Sequence, residues 1–105
     1  MYRNNFIQAI HDKKMVELTF RSKEDGGRLL VRKCAPMDFG PSRRAREKND
    51  RYHLWDYESD TANHVLSLSP EQVTSVVVLD EPFEPGDFVR WAPNWLVRRN
   101  WGIYS

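Results

Sequence analysis

Apolar residues at Phe6, Ile7, Ala9 and Ile10 recur at helical spacing, and Asn4 or Asn5 can cap the turn before them. The chain is therefore predicted to open with a short helix that ends in the run His11-Asp12-Lys13-Lys14. From Met15 the period changes to two, with Val16, Leu18 and Phe20 on one side and Glu17, Thr19 and Arg21 on the other. "SKEDGG" supplies turn residues and "RLLVRKCA" reads as a returning strand, so residues 15–35 are predicted to form a hairpin. Two prolines, a glycine and a charge run abolish any period over 36–50, which reads as a long loop.

The strand that follows, "RYHLWDY", breaks the rule for a half-buried strand. Tyr52 and Leu54 suit a core, but His53, Trp55 and Tyr57 stand where water normally meets Ser, Lys or Glu. "ESDTAN" turns this strand into "HVLSLS". With the turn centred on Asp60, opposed positions sum to 120, and Tyr52 faces Leu68, Leu54 faces Leu66 and Asp56 faces His64. The other row pairs His53 with Ser67, Trp55 with Val65 and Tyr57 with Asn63, and a slip of one residue would mix the two faces. The first row is core. The second mixes aromatic rings with His, Ser and Asn, the composition of a binding surface, unless the N-terminal helix or the C-terminal tail packs over Trp55.

Ser69-Pro70-Glu71-Gln72 carries a helical-turn start, with Ser as cap, Pro at the first position and Gln reaching back; "VTSVVVL" is the last strand. Helix, four strands, one helical turn and a fifth strand predict a mostly β fold. The expected architecture is a small five-stranded antiparallel SH3-like or Sm-like barrel with a short N-terminal helix and a C-terminal Trp-rich extension. One compact unit suits 105 residues, with the barrel over 1–88 and the extension over 89–105.

Charge changes this picture more than composition does. The net charge of +1 divides into +6 over residues 1–51, −8 over 52–87 and +3 over 88–105. A uniformly basic nucleic-acid binder is excluded, but a basic patch is not. "SRRAREKNDR" holds Arg43, Arg44, Arg46, Lys48 and Arg51, which can grip phosphates while bases stack on the neighbouring aromatic row, or can pair with the acidic segment. The tail "FVRWAPNWLVRRNWGIYS" has three arginines and no acid, and from Pro93 it is predicted to form a helix ending at Gly102. A single barrel offers little surface to hide Trp91, Trp95, Leu96, Trp101 and Tyr104. These residues therefore predict a homodimer or protein-partner contact, the alternatives being that they close the barrel from within or that the tryptophans stack directly on nucleic acid.

Four pieces also carry a family resemblance through their order and spacing. They are "FIQAIHDKKMVELTF" as opening helix and first strand, "RLLVRKCAPMDF" as second strand, "YHLWDYES" at the Trp-Tyr-Leu strand, and "LSLSPEQVTSVVVLDEPFEP" with its closing Phe-x-Pro. Over about residues 5–88 the chain resembles the WYL domain. The resemblance implies an Sm-like or SH3-like barrel and a non-enzymatic regulatory module that senses a ligand or nucleic acid. It would serve in transcription regulation or in CRISPR-Cas and other phage-defence systems. The namesake Trp-Tyr-Leu falls on Tyr52, His53 and Leu54, and His64 and Ser67 stand where the family's strand is rich in arginine. Only one short helix precedes the first strand, so a stand-alone module or one with a partner is expected rather than a helix-turn-helix reader of the major groove.

The candidate site for a nucleotide-like ligand or single-stranded nucleic acid is thus His53, Trp55, Tyr57, His64 and Ser67, helped by Arg43, Arg44, Arg46 and Arg51. Cys34 has no partner for an internal disulfide, and His11, His53 and His64 lack paired-ligand spacing, so no metal, cofactor or catalytic residue is expected. A Cys34–His53 pair would require the fold to bring the two together. Without an apolar run of about 20 residues or a signal-peptide core, the expected location is cytoplasmic, away from membranes.

Overall fold

The computed structural model describes residues 2–23, 26–42, 46–59 and 63–105. Among these residues one helix, α1 (Arg3–Asp12), precedes five strands: β1 (Lys14–Ser22), β2 (Arg28–Pro41), β3 (Asp50–Asp56), β4 (Val65–Leu68) and β5 (Val73–Pro82). The strands form one antiparallel sheet in the order β4-β3-β2-β1-β5. The mostly β architecture is as expected, but the barrel is not: β4 and β5 stay at opposite edges and the sheet remains open. β4 is only four residues long, and two carbonyls of β5 are occupied by side chains. The Tyr2 hydroxyl donates to Thr74 O at 3.0 Å and the Lys14 ammonium to Asp80 O at 3.0 Å, a way of blunting an edge without another strand.

α1 begins two or three residues earlier than the asparagines suggested. Tyr2 is its N-cap, and Asn4 and Asn5 lie exposed within the first turn. Lys13, the C-cap that follows the helix, takes a left-handed conformation (φ 54°), and its carbonyl accepts from Phe83 N–H at 2.9 Å. Phe6, Ala9 and Ile10 are buried against the sheet, with Phe6 meeting Tyr52 edge to face at 4.9 Å.

Val16, Leu18 and Phe20 face the core, as the alternation requires, and β1 pairs with β2 through Val16–Cys34, Leu18–Arg32 and Phe20–Leu30. The long loop expected over 36–50 is a correction. β2 continues through Pro36, Met37 and Gly40 to Pro41, so only residues from 42 onward leave the sheet. The pairing with β3 shifts between Pro36 and Asp38, and at such an irregularity a residue without an N–H is tolerated. Cys34 to Asp38 are buried without interruption, because α1 packs on one face of β2 while the C-terminal tail covers the other.

The β3–β4 register is the predicted one: Tyr52–Leu68, His53–Ser67, Leu54–Leu66 and Trp55–Val65. Asp56 N–H donates to His64 O at 2.7 Å and extends the ladder; the proposed centre at Asp60 lies outside the described residues. The helical turn at Pro70–Gln72 forms as expected, with the Gln72 side-chain carbonyl accepting from Ser69 N–H at 3.2 Å. Its amide nitrogen donates to Arg21 O at 3.1 Å, tying the turn to the end of β1.

Beyond β5 the helix expected from Pro93 is absent; the described tail is irregular apart from single turns at Pro85–Asp87 and Gly102–Tyr104. The N–H groups of Leu96 and Val97 donate to the Asp38 carboxylate at 2.8 and 2.9 Å, which directs this stretch into a loop anchored on β2. Phe88, Val89 and Trp101 enter the same core as α1 and the sheet.

Candidate functional site

The tail is held on the sheet by a buried ion pair. Asp38 accepts from Phe39 N–H, Leu96 N–H and Val97 N–H, and from Arg99 Nη2 at 3.1 Å. The Arg99 side chain is fully buried and also donates to the carbonyls of Met37 and Val97. Its guanidinium lies 4.2 Å from the ring of Trp95 and 4.4 Å from that of Trp101, within cation–π reach of both. Burial lowers its pKa to about 10 against the opposing pull of Asp38, so it keeps its charge at neutral pH.

That anchoring creates a cleft of about 330 Å³ between the tail and the sheet. Pro41, Ser42, His53 and Ser67 line the sheet side; Trp91, Asn94, Trp95 and Leu96 line the tail side. Trp91 meets Trp95 edge to face at 6.0 Å. The ring of His53 is fixed at both nitrogens, Nε2 at 2.9 Å from Gly40 O and Nδ1 at 2.8 Å from Ser67 Oγ. Because a carbonyl only accepts, Nε2 carries the proton in the neutral ring, and Ser67 then donates to Nδ1. The Ser67 oxygen keeps acceptor capacity for a donor on a bound molecule.

The aromatic row of β3 is therefore split. His53 and Ser67 open into the cleft, whereas Trp55 lies near-parallel to His64 at 4.9 Å and to Phe88 at 5.6 Å and packs on the core. The covering by the tail weighed for Trp55 is realised by Phe88. Tyr57 is half-buried against Phe88, with its hydroxyl sealed and making no hydrogen bond of good geometry. Burial, with Asp87 nearby, pushes that phenol up to about 12. His64 donates from Nδ1 to Asp56 O at 2.7 Å.

The tail aromatics divide in the same way. Trp101 is only 4% exposed, and its indole N–H donates to Ile10 O at 2.9 Å. Trp95 and Tyr104 are half-buried, joined by a 2.8 Å bond from the Trp95 indole to Tyr104 O. Trp91 and Leu96 remain 44% and 41% exposed at the rim of the cleft.

Of the basic loop, Arg43 and Arg44 lie outside the described residues, and Arg46 is exposed. Arg51 shares the strand face of His53 and donates to Ser67 O at 3.3 Å. It also lines a second, polar groove of about 490 Å³ with Arg21, Lys23, Glu47 and Glu71. Glu71 is held below the usual carboxylate range, first by a hydrogen bond with Ser69 and more weakly by Lys23 and Arg51. The aromatic cleft and the polar groove thus meet at Arg51 and the Ser67 strand.

Cys34 and His53 do not come together: Cys34 is buried on the core face and burial pushes its thiol up, away from the reactive thiolate. Among the described residues no three His, Cys, Asp or Glu side chains gather as a metal site, and no helix is long and apolar enough to cross a membrane. Asp38, Asn94 and Arg99 were missed by sequence reasoning. The available signals were an aspartate within the apolar run "CAPMDF" and an arginine flanked by tryptophans. Comparison with protein families, with curated proteins and with solved structures finds no match.

Proposed function

We propose that this protein is a non-enzymatic, WYL-like regulatory module that binds a base and its adjoining phosphate, as a nucleotide or within single-stranded nucleic acid. The observation that carries this reading is the convergence of Trp91 and Trp95 with His53 and Ser67 in one cleft, with Arg51 on the adjoining strand position. A planar base fits against the indoles, its N–H groups have an acceptor in Ser67, and the phosphate has Arg51, Arg21 and Lys23 within the neighbouring groove. Aromatic stacking contributes about 1–3 kcal/mol per base, and phosphate contacts make binding salt-dependent.

The test is a titration of the full chain with short oligonucleotides and with free mononucleotides, read by tryptophan quenching across a salt series. Trp91→Ala is expected to weaken binding roughly 5- to 150-fold, and Arg51→Ala to flatten the salt slope by about one unit. Stronger binding of oligonucleotides than of mononucleotides would identify a strand as the ligand, and the reverse a nucleotide. Absence of quenching by both at low salt refutes the proposal.

The exposure of Trp91 and Leu96 favours a second reading, a protein contact or homodimer made through the tail. Salt-insensitive self-association lost in Trp91→Ala/Leu96→Ala would select it. Truncation before Phe88 is unsuitable, because Phe88, Val89 and Trp101 are core.

A further inference from the structure

The face of β1 turned away from the core has a charge and apolar pattern that matches itself. Cross-strand partners arrange it in three rows: Lys33–Glu17–Val77, then Val31–Thr19–Ser75, then Leu29–Arg21. Leu29, Val31 and Val77 are 47%, 55% and 49% exposed, although they are large aliphatic side chains paired within the sheet. The tail covers the sheet near Trp55 and leaves this face open.

We infer that this face is where a second copy of the chain docks, sheet against sheet, about a twofold axis running along the row Val31–Thr19–Ser75. That axis lies across the strands, so it sets β1 antiparallel to β1 of the other copy. Each Glu17 then lies over Arg21 of the second copy, Val31 meets Val31, and the aliphatic stem of Lys33 covers Leu29. The alternative twofold, parallel to the strands, stacks Glu17 on Glu17 and Arg21 on Arg21, a like-charge arrangement that disfavours it. Arg21 already donates to Gly27 O at 3.2 Å, which holds its side chain at this end of the face. At the other end the exposed ion pair Lys33–Glu81, at 2.9 Å, forms a polar rim. A patch of eight side chains on three strands is smaller than the roughly 800 Å² per partner of a stable interface, so the dimer is a weak one that forms with rising concentration. The face is separate from the aromatic cleft beneath the tail but shares Arg21 with the neighbouring polar groove, so Val31→Asp and Glu17→Arg, which lie outside both, test the dimer apart from ligand binding.

Sedimentation equilibrium of the full chain over a concentration series tests it, with circular dichroism confirming the fold of each variant. The weight-average mass is expected to rise from 12.5 kDa toward twice that value. Val31→Asp, which places two carboxylates on the axis, is expected to hold the protein at the monomer mass. Glu17→Arg and Arg21→Glu singly are expected to weaken the dimer at least several-fold, and the doubly reversed variant Glu17→Arg/Arg21→Glu to restore it. A monomer at every concentration, a dimer indifferent to Val31→Asp, or a double reversal no better than the singles overturns the inference.

Discussion

Replacing Asp38 by alanine is the perturbation that bears most directly on the docked tail. The carboxylate takes four donors, the N–H groups of Phe39, Leu96 and Val97 and the Arg99 guanidinium. Without it the fully buried Arg99 side chain keeps only the carbonyls of Met37 and Val97 and loses its counter-charge. Removing one member of a buried ion pair costs about 3–5 kcal/mol. The backbone N–H groups of Leu96 and Val97 lie at part-buried positions that water can reach, so they add less than the full penalty of about 1–3 kcal/mol each. Against a total stability of roughly 5–15 kcal/mol, the expected loss is a large share, and at about 4–8 °C per kcal/mol the Tm falls by roughly 12–40 °C. Urea unfolding followed in parallel by tryptophan fluorescence and far-ultraviolet circular dichroism measures it. Three of the four tryptophans sit in the tail, so fluorescence reports undocking while dichroism reports the sheet. Asp38→Asn is expected to be nearly as damaging, because its amide turns donors toward donors. Asp38→Ala/Arg99→Met, which removes both charges, is expected to recover part of the loss. A loss below about 1 kcal/mol for Asp38→Ala, or a double variant no more stable than the single one, refutes the reasoning.

Other expectations follow from single contacts. At Gly40 the backbone φ is 144° and an added Cβ would sit 2.6 Å from Leu96 Cδ1. Gly40→Ala should therefore cost about 1–3 kcal/mol in urea unfolding, and Leu96→Ala in the same background should return part of it. Cys34 should react with a thiol reagent only through unfolding; stoichiometric labelling of the native protein at the rate of a free thiol would contradict its placement. Burial raises the Asp56 carboxyl above its ordinary value, with Glu58 N–H and then Arg32 pulling the other way. The folded state therefore holds the proton more tightly than the unfolded chain, and that contribution is complete below the ordinary aspartate pKa and lost as pH rises through the folded one. Asp56→Asn is accordingly expected to be more stable than the parent near neutral pH and equal to it at pH below about 3.5; a gain that persists in acid, or a loss at neutrality, contradicts this.

The parts of the fold that were legible are those governed by near neighbours. Alternation in β1 gave the core face of Val16, Leu18 and Phe20, and the two rows of β3 and β4 gave a register that the sheet reproduces in the four pairs from Tyr52–Leu68 to Trp55–Val65. Pro36, Gly40 and Pro41 misled, because residues that usually break strands sit here at a pairing shift, at a close approach to Leu96 and at a strand end. The helix expected from Pro93 failed for a different reason: its N–H groups found the carboxylate of a residue nearly sixty positions away. Three of the nine candidate residues lie together in the fold. His53, Ser67 and Arg51 adjoin one another, while Trp55, Tyr57 and His64 lie against Phe88 or its neighbours.

What the amino-acid order determined by itself was the number and order of the strands, the inward faces of β1 and the β3–β4 pairing, since a period of two and a short turn act between residues close along the chain. What only the tertiary structure decided was whether the sheet closes, which tryptophans stay exposed, and that tail and strand together enclose a cleft. Those outcomes depend on Asp38 meeting Arg99 across 61 positions and on Trp101 reaching Ile10 across 91. Contacts at such separations leave no periodic trace in either segment, because each partner is specified by shape and charge complementarity that exists only once the chain has folded.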